Sequence, residues 1–215
     1  MPVTAKKKYE SARQLERQRN ILATARALLE EEGYAGMTMR GLAKAAGVAQ
    51  GTLYNLYSSK DELILAAVDD LLTEIGEQAA ERSDAEGIDA ILTLAEATGE
   101  RTQSMPKYAD AIARALFRAQ PDDPIVDVLF VRSLPYLRRH LTFAKNKGHL
   151  REDVDVEALA HHLIGQGWGV ILLWLMGLVP LKDMVKERLR SDLMTLAGVA
   201  KGRTRSRLED DLRAL

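Results

Sequence analysis

Residues Thr38 to Lys60 read TMRGLAKAAGVAQGTLYNLYSSK. Thr38 is a residue type that caps helices, and apolar residues recur at helical spacing from there to Gly47. A second short repeat follows the glycine and ends at about Tyr57. Two short helices joined by a tight turn form a helix-turn-helix, whose second helix enters the major groove of DNA. The stretch therefore predicts a DNA-reading element.

The two short helices have an apolar inner face and a polar outer face. The inner face is Leu42, Ala43, Ala46, Val48 and Leu53. The outer face of the second helix is Gln50, Thr52, Tyr54 and Asn55. Amides, hydroxyls and a phenol suit base edges and phosphate oxygens, so the polar face predicts the DNA contacts.

The rest of the chain is rich in Ala, Leu, Glu and Arg and poor in alternating β-branched residues, which predicts an all-α fold of about nine helices. We expect a three-helix domain at 1–60, a larger helical domain at 61–200 and a charged tail at 201–215 that frays. The predicted helix starts are capping residues and prolines. These are Ser59 and Ser83 (each with Glu three residues later), Pro106, Pro124, Asp155 and Pro180. The seventh helix should run from Pro124 to Lys147 and the ninth from Pro180 to about Ala200.

Charge is distributed unevenly, although the formal net charge is only −1. Residues 1–60 carry ten Lys and Arg against five Asp and Glu, whereas residues 61–100 carry twelve carboxylates against Arg82 alone. A polyanion would therefore be attracted to the N-terminal part. The chain has no cysteine, which excludes disulfides, thiolate nucleophiles and Cys-based zinc sites. Lys6 to Lys8 have no apolar stretch behind them, so we expect a cytoplasmic protein.

At the quoted residues the chain closely resembles the TetR/AcrR family of transcriptional regulators. The matching residues are Thr38, Leu42-Ala43, Ala46-Gly47-Val48, Gly51-Thr52-Leu53-Tyr54, Tyr57 and Lys60, within a match over roughly residues 17–64. The resemblance implies a DNA-reading domain, followed by a helical domain that dimerises and usually binds a small molecule. It also implies base or nearby backbone contacts for Arg40, Gln50, Thr52 and Asn55, and phosphate contacts for Tyr54 and Lys60.

Two positions depart from the family pattern. Ala49 stands where Ser or Thr commonly caps the third helix, which forgoes a cap worth about 1 kcal/mol. Leu56 stands where a polar or aromatic residue is common, which removes one expected DNA contact. Neither departure breaks the motif.

Apolar residues in the predicted sixth, seventh and eighth helices could line a ligand cavity, although each is more often plain core. They are Met105, Tyr108, Ile112, Phe130, Leu134, Leu137, Trp168 and Leu172. They indicate a hydrophobic or aromatic ligand. No cofactor is expected, because no phosphate loop, dinucleotide fingerprint or catalytic triad motif occurs, and an enzyme is not expected either.

The nineteen residues from Leu163 to Leu181 are almost wholly apolar, which is long enough for a membrane span. We favour instead a buried eighth helix that pairs with the ninth and with the same pair of a second subunit. Gly165 and Gly169 would permit close helix contact. Glu157, His161 and His162 could suggest a metal, but no third ligand with metal-site spacing is visible, and we predict no metal site.

The sequence thus predicts a homodimer, joined through the eighth and ninth helices, that represses transcription at a palindromic operator in double-stranded DNA. A small-molecule effector, hydrophobic or aromatic, is expected to release it from that operator. One alternative is a helical bundle whose N-terminal corner has lost DNA binding. Another is a membrane-bound helical protein.

Overall fold

A computed structural model of the chain describes the backbone of residues 3–82 and 85–215, and the side chains of residues 13–81 and 85–215. Over these ranges the structure is helical throughout, and its single β-type pairing is an isolated bridge between Leu150 and Ala200. The all-α prediction is confirmed. The chain divides into two compact units, with the boundary between Leu72 and Thr73.

The first unit contains three helices and the first half of a fourth. They are α1 (Val3–Gly36), α2 (Met39–Ala45), α3 (Gln50–Leu56) and α4 (Lys60–Arg82). Thr38 caps α2 as predicted, because its Oγ1 accepts a hydrogen bond from the amide of Gly41 at 3.0 Å. Leu42, Leu53 and Leu63 have no exposed surface, so they anchor α2, α3 and α4 in one core.

The capping box at the start of α4 forms differently from the prediction. The Glu62 amide donates to Ser59 Oγ at 3.1 Å, as expected. In a capping box the Glu62 carboxylate would accept from the amide of Ser59. It accepts instead from the amide of Ser58, one residue earlier, at 2.7 Å, and from the Ser58 hydroxyl. These hydrogen bonds lower the pKa of Glu62. The carboxylate thus satisfies a donor just outside the helix.

The second unit contains the remainder of α4 and seven further helices. They are α5 (Ile88–Ser104), α6 (Pro106–Leu116), α7 (Pro124–Val126), α8 (Leu134–Asn146), α9 (Val156–Leu175), α10 (Met184–Val199) and α11 (Gly202–Ala214). Helix α10 packs against α5, α9 and α11. Its contact with α5 is especially close at Gly99, where a Cβ atom would lie 2.9 Å from Cα of Val185. Glycine is required there because backbone fills the space.

Two predicted helices are divided in the structure. The seventh, expected from Pro124 to Lys147, consists of α7, a π-helical segment Asp127–Val131 and α8. Pro135 lies in the first turn of α8, where it cannot supply the amide that a continuous helix needs. The ninth does not begin at Pro180, because a 3₁₀ turn, Leu181–Asp183, precedes α10.

The predicted cap at Ser83 lies outside the described residues. The structure begins α5 at Ile88, and the residue before it, Gly87, has φ 66° and makes no side-chain cap. A left-handed glycine therefore turns the chain into this helix.

The prediction that residues 201–215 fray is wrong. These residues form α11, whose Leu208 is completely buried in the core of the second unit. Arg207 pairs with Asp89 of α5 at 2.6 Å, and the Lys201 amide donates to the His149 carbonyl at 3.0 Å. Among the alternating charges lies an apolar stripe at helical spacing, which consists of Leu208, Leu212 and Leu215.

Candidate nucleic-acid interface

The turn between α2 and α3 fixes the angle at which α3 is presented. Gly47 has φ 66°, and the Val48 amide donates to the Ala43 carbonyl at 2.9 Å, which is the usual way for a left-handed glycine to end a helix. The side chain of Asn20 adds a contact that the sequence did not indicate. Its Nδ2 donates to the Ala46 carbonyl at 3.3 Å and so holds the turn against α1.

The polar face predicted for α3 is open to solvent. Gln50 and Asn55 are exposed, Tyr54 is 48% exposed and Thr52 is half-buried, while Arg40 is exposed on α2. Within the described part of the chain, none of these five side chains has a hydrogen bond or ion pair. Their polar groups are therefore free to bind another molecule.

Lys60 is placed differently from the other predicted contact residues. Its ammonium contacts the carbonyl oxygen of Tyr34 and lies 4.0 Å from the centroid of the Tyr34 ring. The Tyr34 hydroxyl donates to Asp61, and this hydrogen bond raises the pKa of Tyr34. Lys60 thus links the end of α1 to the start of α4, a role that the sequence did not reveal. An ammonium has three donors, so contact with Tyr34 leaves others available.

The start of α3 has the weakness that the sequence predicted. Its N-cap residue is Ala49, in extended conformation with φ −66° and ψ 140°, and no side chain caps the helix. Leu56 is half-buried at the other end of this seven-residue helix. Tertiary packing of Leu53 therefore holds α3 in place.

A buried ion pair ties α1 to α4 within the first unit. Arg26 is 8% exposed, and its guanidinium lies 2.6 Å from Oδ2 of Asp70. The same guanidinium donates to the Ala67 carbonyl at 3.4 Å. Removing Asp70 would take the charged partner away from a nearly buried guanidinium, so this pair stabilises the packing of α1 on α4 within the first unit.

A helix-turn-helix with an exposed polar face, followed by a larger helical unit, is the architecture of a DNA-binding transcriptional regulator. The family "Bacterial regulatory proteins, tetR family" matches residues 21–67, which span the end of α1 through the first part of α4. YezE of Bacillus subtilis, an uncharacterized HTH-type transcriptional regulator, is 31% identical over 152 residues, 66% of this chain and 78% of YezE. The chain belongs to the TetR family of transcriptional regulators and is a regulator rather than an enzyme.

Two further similar proteins are described as repressors. KstR of Mycobacterium tuberculosis is 28% identical over 143 residues, which cover 61% of this chain and 64% of KstR. The crystal structure of FadR of Thermus thermophilus, in complex with lauroyl-CoA, is 21% identical and has a TM-score of 0.65. It covers 86% of this chain and 97% of FadR, which shows that the two share a fold.

The eight residues predicted to line a ligand cavity are spread between the core and partly covered positions. Tyr108, Ile112, Leu134 and Leu137 are buried, whereas Met105, Phe130, Trp168 and Leu172 are half-buried. Leu134 and Leu137 belong to one hydrophobic cluster, against which Phe130 and Trp168 pack. A cavity of the second unit between the end of α4, the start of α5 and α8 is lined by none of the eight.

Helix α9 is long and apolar enough to cross a membrane by length and composition alone, with mean hydropathy 1.3. One third of its apolar stretch is buried inside the chain, where α9 packs against α8 and α10. In a family of DNA-binding regulators, such a helix is a core helix with one uncovered face. Exposed apolar side chains occur towards the end of α9, in the residues just after it and on α10. They are Leu173, Met176 and Leu178, and Met194 on α10.

A buried polar network joins α9 to α10. Asp192 is 1% exposed, and its Oδ1 accepts hydrogen bonds from Gln166 and Arg188, each at 2.6 Å. Burial raises the pKa of Asp192. The hydroxyl of Thr195 donates to Gln166 at 2.6 Å. Gly167 makes room for the network, since a Cβ there would lie 2.9 Å from Cζ of Arg188. Nothing in the sequence pattern indicated this network, which sets the register of the two helices.

The residues weighed as metal ligands do not form a metal site. His161 Nδ1 lies 2.9 Å from the Glu157 carbonyl oxygen and 3.5 Å from its carboxylate. The guanidinium of Arg138 already binds that carboxylate and lowers the pKa of Glu157. Across the described residues, no three His, Asp or Glu side chains are grouped so that they could hold a metal ion.

Proposed function

We propose that this protein represses transcription by binding a palindromic operator as a homodimer, and that a small molecule releases it. The observation that carries the proposal is the outer face of α3, which presents exposed polar side chains with no intramolecular partner within the described residues. Amide, hydroxyl and phenol groups on the second helix of a helix-turn-helix suit base edges and phosphate oxygens in the major groove. KstR and FadR of Thermus thermophilus are both named as repressors, which favours repression over activation for this chain.

On this proposal, Gln50, Thr52 and Asn55 contact base edges or the adjacent backbone. Amide side chains pair well with adenine, and each good bidentate contact contributes about 1–3 kcal/mol of discrimination. Arg40 on α2 also contacts bases or nearby backbone. Tyr54 and Lys60 contact phosphates, which positions the helix without reading sequence.

The second copy would pack on the uncovered face of α9 and α10. Besides its exposed apolar side chains, this face carries glycines at which an added Cβ would meet nothing within 4 Å, namely Gly165, Gly169 and Gly198. Each costs about 1 kcal/mol of helix propensity relative to alanine, and packing within the chain does not require it. Close approach of helices from another copy is a reason to keep them.

Dimerisation can be tested by sedimentation of the whole chain. We expect the native chain to sediment as a dimer and Gly169→Phe to dissociate it, because a large side chain would separate the helices. Gly51→Ala, which also meets no neighbouring atom but lies on α3, serves as the control and should remain dimeric. A native chain that stays monomeric at micromolar concentration would contradict the proposed dimer.

Release would follow from a ligand in the cytoplasm that binds the second unit. FadR of Thermus thermophilus binds lauroyl-CoA, an apolar chain on a polar head, which supports a partly hydrophobic effector. The apolar residues from Met105 to Leu172 named above would form its walls. The boundary between the units falls inside α4, so displacement of α4 by a ligand would be transmitted along one helix. Coupling of this type is typically about 1–3 kcal/mol and is reciprocal.

Selection of bound fragments from a random pool of double-stranded DNA tests the function as a whole. We expect an inverted repeat whose half-site centres are about 34–36 Å apart, one turn of B-DNA. Enrichment of a single unrepeated site would contradict the dimer. Recovery of no sequence above background would favour a helical bundle that has lost DNA binding.

A further inference from the structure

The second unit contains a cavity of about 280 Å³ that lies between three helices. The end of α4 contributes Ala79 and Ala80, and the start of α5 contributes Ala90 and Thr93. The segment just before α5 contributes Ala85 and Glu86, and α8 contributes the remaining wall. This volume is near the lower limit of about 300–1,000 Å³ for small-molecule sites. A molecule with roughly ten non-hydrogen atoms is the size that it would accept.

One wall of the cavity is a histidine whose protonation state is fixed by its surroundings. His140 is 6% exposed, and its Nδ1 accepts a hydrogen bond from the amide of Gly87 at 3.2 Å. Burial, together with the charge of Arg139, lowers the pKa of His140, so the ring is neutral near pH 7. A neutral imidazole that accepts at Nδ1 carries its proton at Nε2. His140 therefore has an N–H donor for which the structure provides no partner within the described residues.

The orientation of this ring is held by Tyr136. The two ring centroids are 4.5 Å apart, and the Tyr136 hydroxyl donates to the Ala90 carbonyl at 3.3 Å. Because Tyr136 spans from α8 to α5, the donor of His140 is held in place before any ligand arrives.

Two opposite charges also line this cavity without pairing. Arg139 and Glu86 both contribute to its solvent-exposed rim, and neither forms an ion pair or hydrogen bond with the other or with any residue that the structure describes. The adjacent Arg138, by contrast, is paired with Glu157. A molecule that carries both a negative and a positive charge would be complementary to Arg139 and Glu86 at once, because the two residues are not paired with each other.

The rest of the wall is small and apolar. Ala79, Ala80, Ala85 and Ala90 present methyl groups. Such a surface suits a short aliphatic group, and its burial would contribute about 0.8 kcal/mol per CH₂. A long acyl chain would exceed the volume.

We propose that this cavity binds a small dipolar molecule of the amino-acid class. Its carboxylate would accept from Arg139 and from Nε2–H of His140, its ammonium would contact Glu86, and its short aliphatic group would lie on the alanines. None of the eight apolar residues proposed above as walls of the effector site lines this cavity, so it would be a second ligand site of the second unit. The inference rests on the proposed function only in its second step, in which a ligand that touches Ala79 and Ala80 perturbs α4 and so changes DNA affinity.

Calorimetric titration of the whole chain with three probes tests the binding step. Leucine carries both charges, isocaproate lacks the ammonium and isoamylamine lacks the carboxylate, while all three share one aliphatic group. Leucine should bind at least about ten-fold more tightly than either, because a hydrogen bond to a charged group contributes more than a neutral one. Equal binding of all three, or no heat from leucine at millimolar concentration, would overturn the proposal.

Two variants test which side chain of the cavity recognises each charged group of leucine. Arg139→Gln should abolish the preference for leucine over isoamylamine, and Glu86→Gln should abolish the preference for leucine over isocaproate. Arg118→Gln removes an exposed arginine that does not line the cavity and should change neither preference. Preferences that survive both cavity variants would also overturn the proposal. Selection of DNA fragments in the absence of leucine and its analogues does not depend on these results. A wrong assignment of the cavity ligand can therefore be distinguished from a wrong assignment of DNA binding.

Discussion

Replacing glycine by alanine should change the free energy of unfolding in opposite directions at two positions inside helices of the second unit. Replacing either by alanine favours the helix by about 0.5–1 kcal/mol. At Gly76 in α4 a Cβ would meet no atom within 4 Å, so Gly76→Ala should stabilise the protein by that amount. At Gly99 in α5 the Cβ would lie 2.9 Å from Cα and 3.3 Å from Cγ2 of Val185, so α5 and α10 must separate.

Forcing an extra carbon into a packed core costs about 1–3 kcal/mol. The helix-propensity gain is common to both variants, so the difference between their free energies of unfolding isolates this packing cost. We expect Gly99→Ala to be less stable than Gly76→Ala by about 1–3 kcal/mol.

Urea unfolding of both variants, followed by circular dichroism, measures the difference. Equal m-values would show that the comparison concerns stability and not the extent of unfolding. If Gly99→Ala proved as stable as Gly76→Ala, the close approach of α5 and α10 described above would be wrong.

Three further predictions concern the cap, pH and salt. Ala49→Ser should stabilise the protein by about 1 kcal/mol in urea unfolding, because a hydroxyl would cap α3, whereas Ala49→Val should give no gain. Burial lowers the pKa of His140 in the folded state, so the contribution of the neutral ring to stability is complete above about pH 6.5 and is lost as pH falls through the folded pKa. His140→Gln should therefore reduce the dependence of the melting temperature on pH across this window, and an unchanged dependence would show that the ring does not contribute. DNA affinity should fall steeply between about 50 and 200 mM salt, since Lys6, Lys7, Lys8, Arg17, Arg19 and Lys60 would displace counterions, and a flat profile in a binding titration would exclude these contacts.

The features that could be predicted from sequence depend on neighbouring residues. The cap at Thr38, the uncapped Ala49 and the turn at Gly47 each follow from residues within a few positions. The polar face of α3 follows from helical periodicity in the same short stretch. Local chemistry of this type sets backbone conformation directly.

The features that the sequence did not reveal depend on contacts between distant segments. His140 receives its hydrogen bond from Gly87, and Asp192 is held by Gln166, so neither environment can be inferred from adjacent residues. Helix α11 was missed because its many charges outweigh Leu208, whose burial is decided by α5 and α10. Tertiary packing overrides local composition in each of these cases.

If α3 reads DNA sequence, its side chains determine the ratio of the affinities for the selected site and for a scrambled site of equal length. Fluorescence anisotropy at fixed salt gives this ratio for the native chain, for Gln50→Ala and for Gln120→Ala, an exposed amide of the second unit. We predict that Gln50→Ala loses about 1–3 kcal/mol of discrimination, whereas Gln120→Ala retains all of it. An unchanged ratio for Gln50→Ala, together with unchanged base preferences in a repeated selection, would contradict the assignment of α3 as the reading helix.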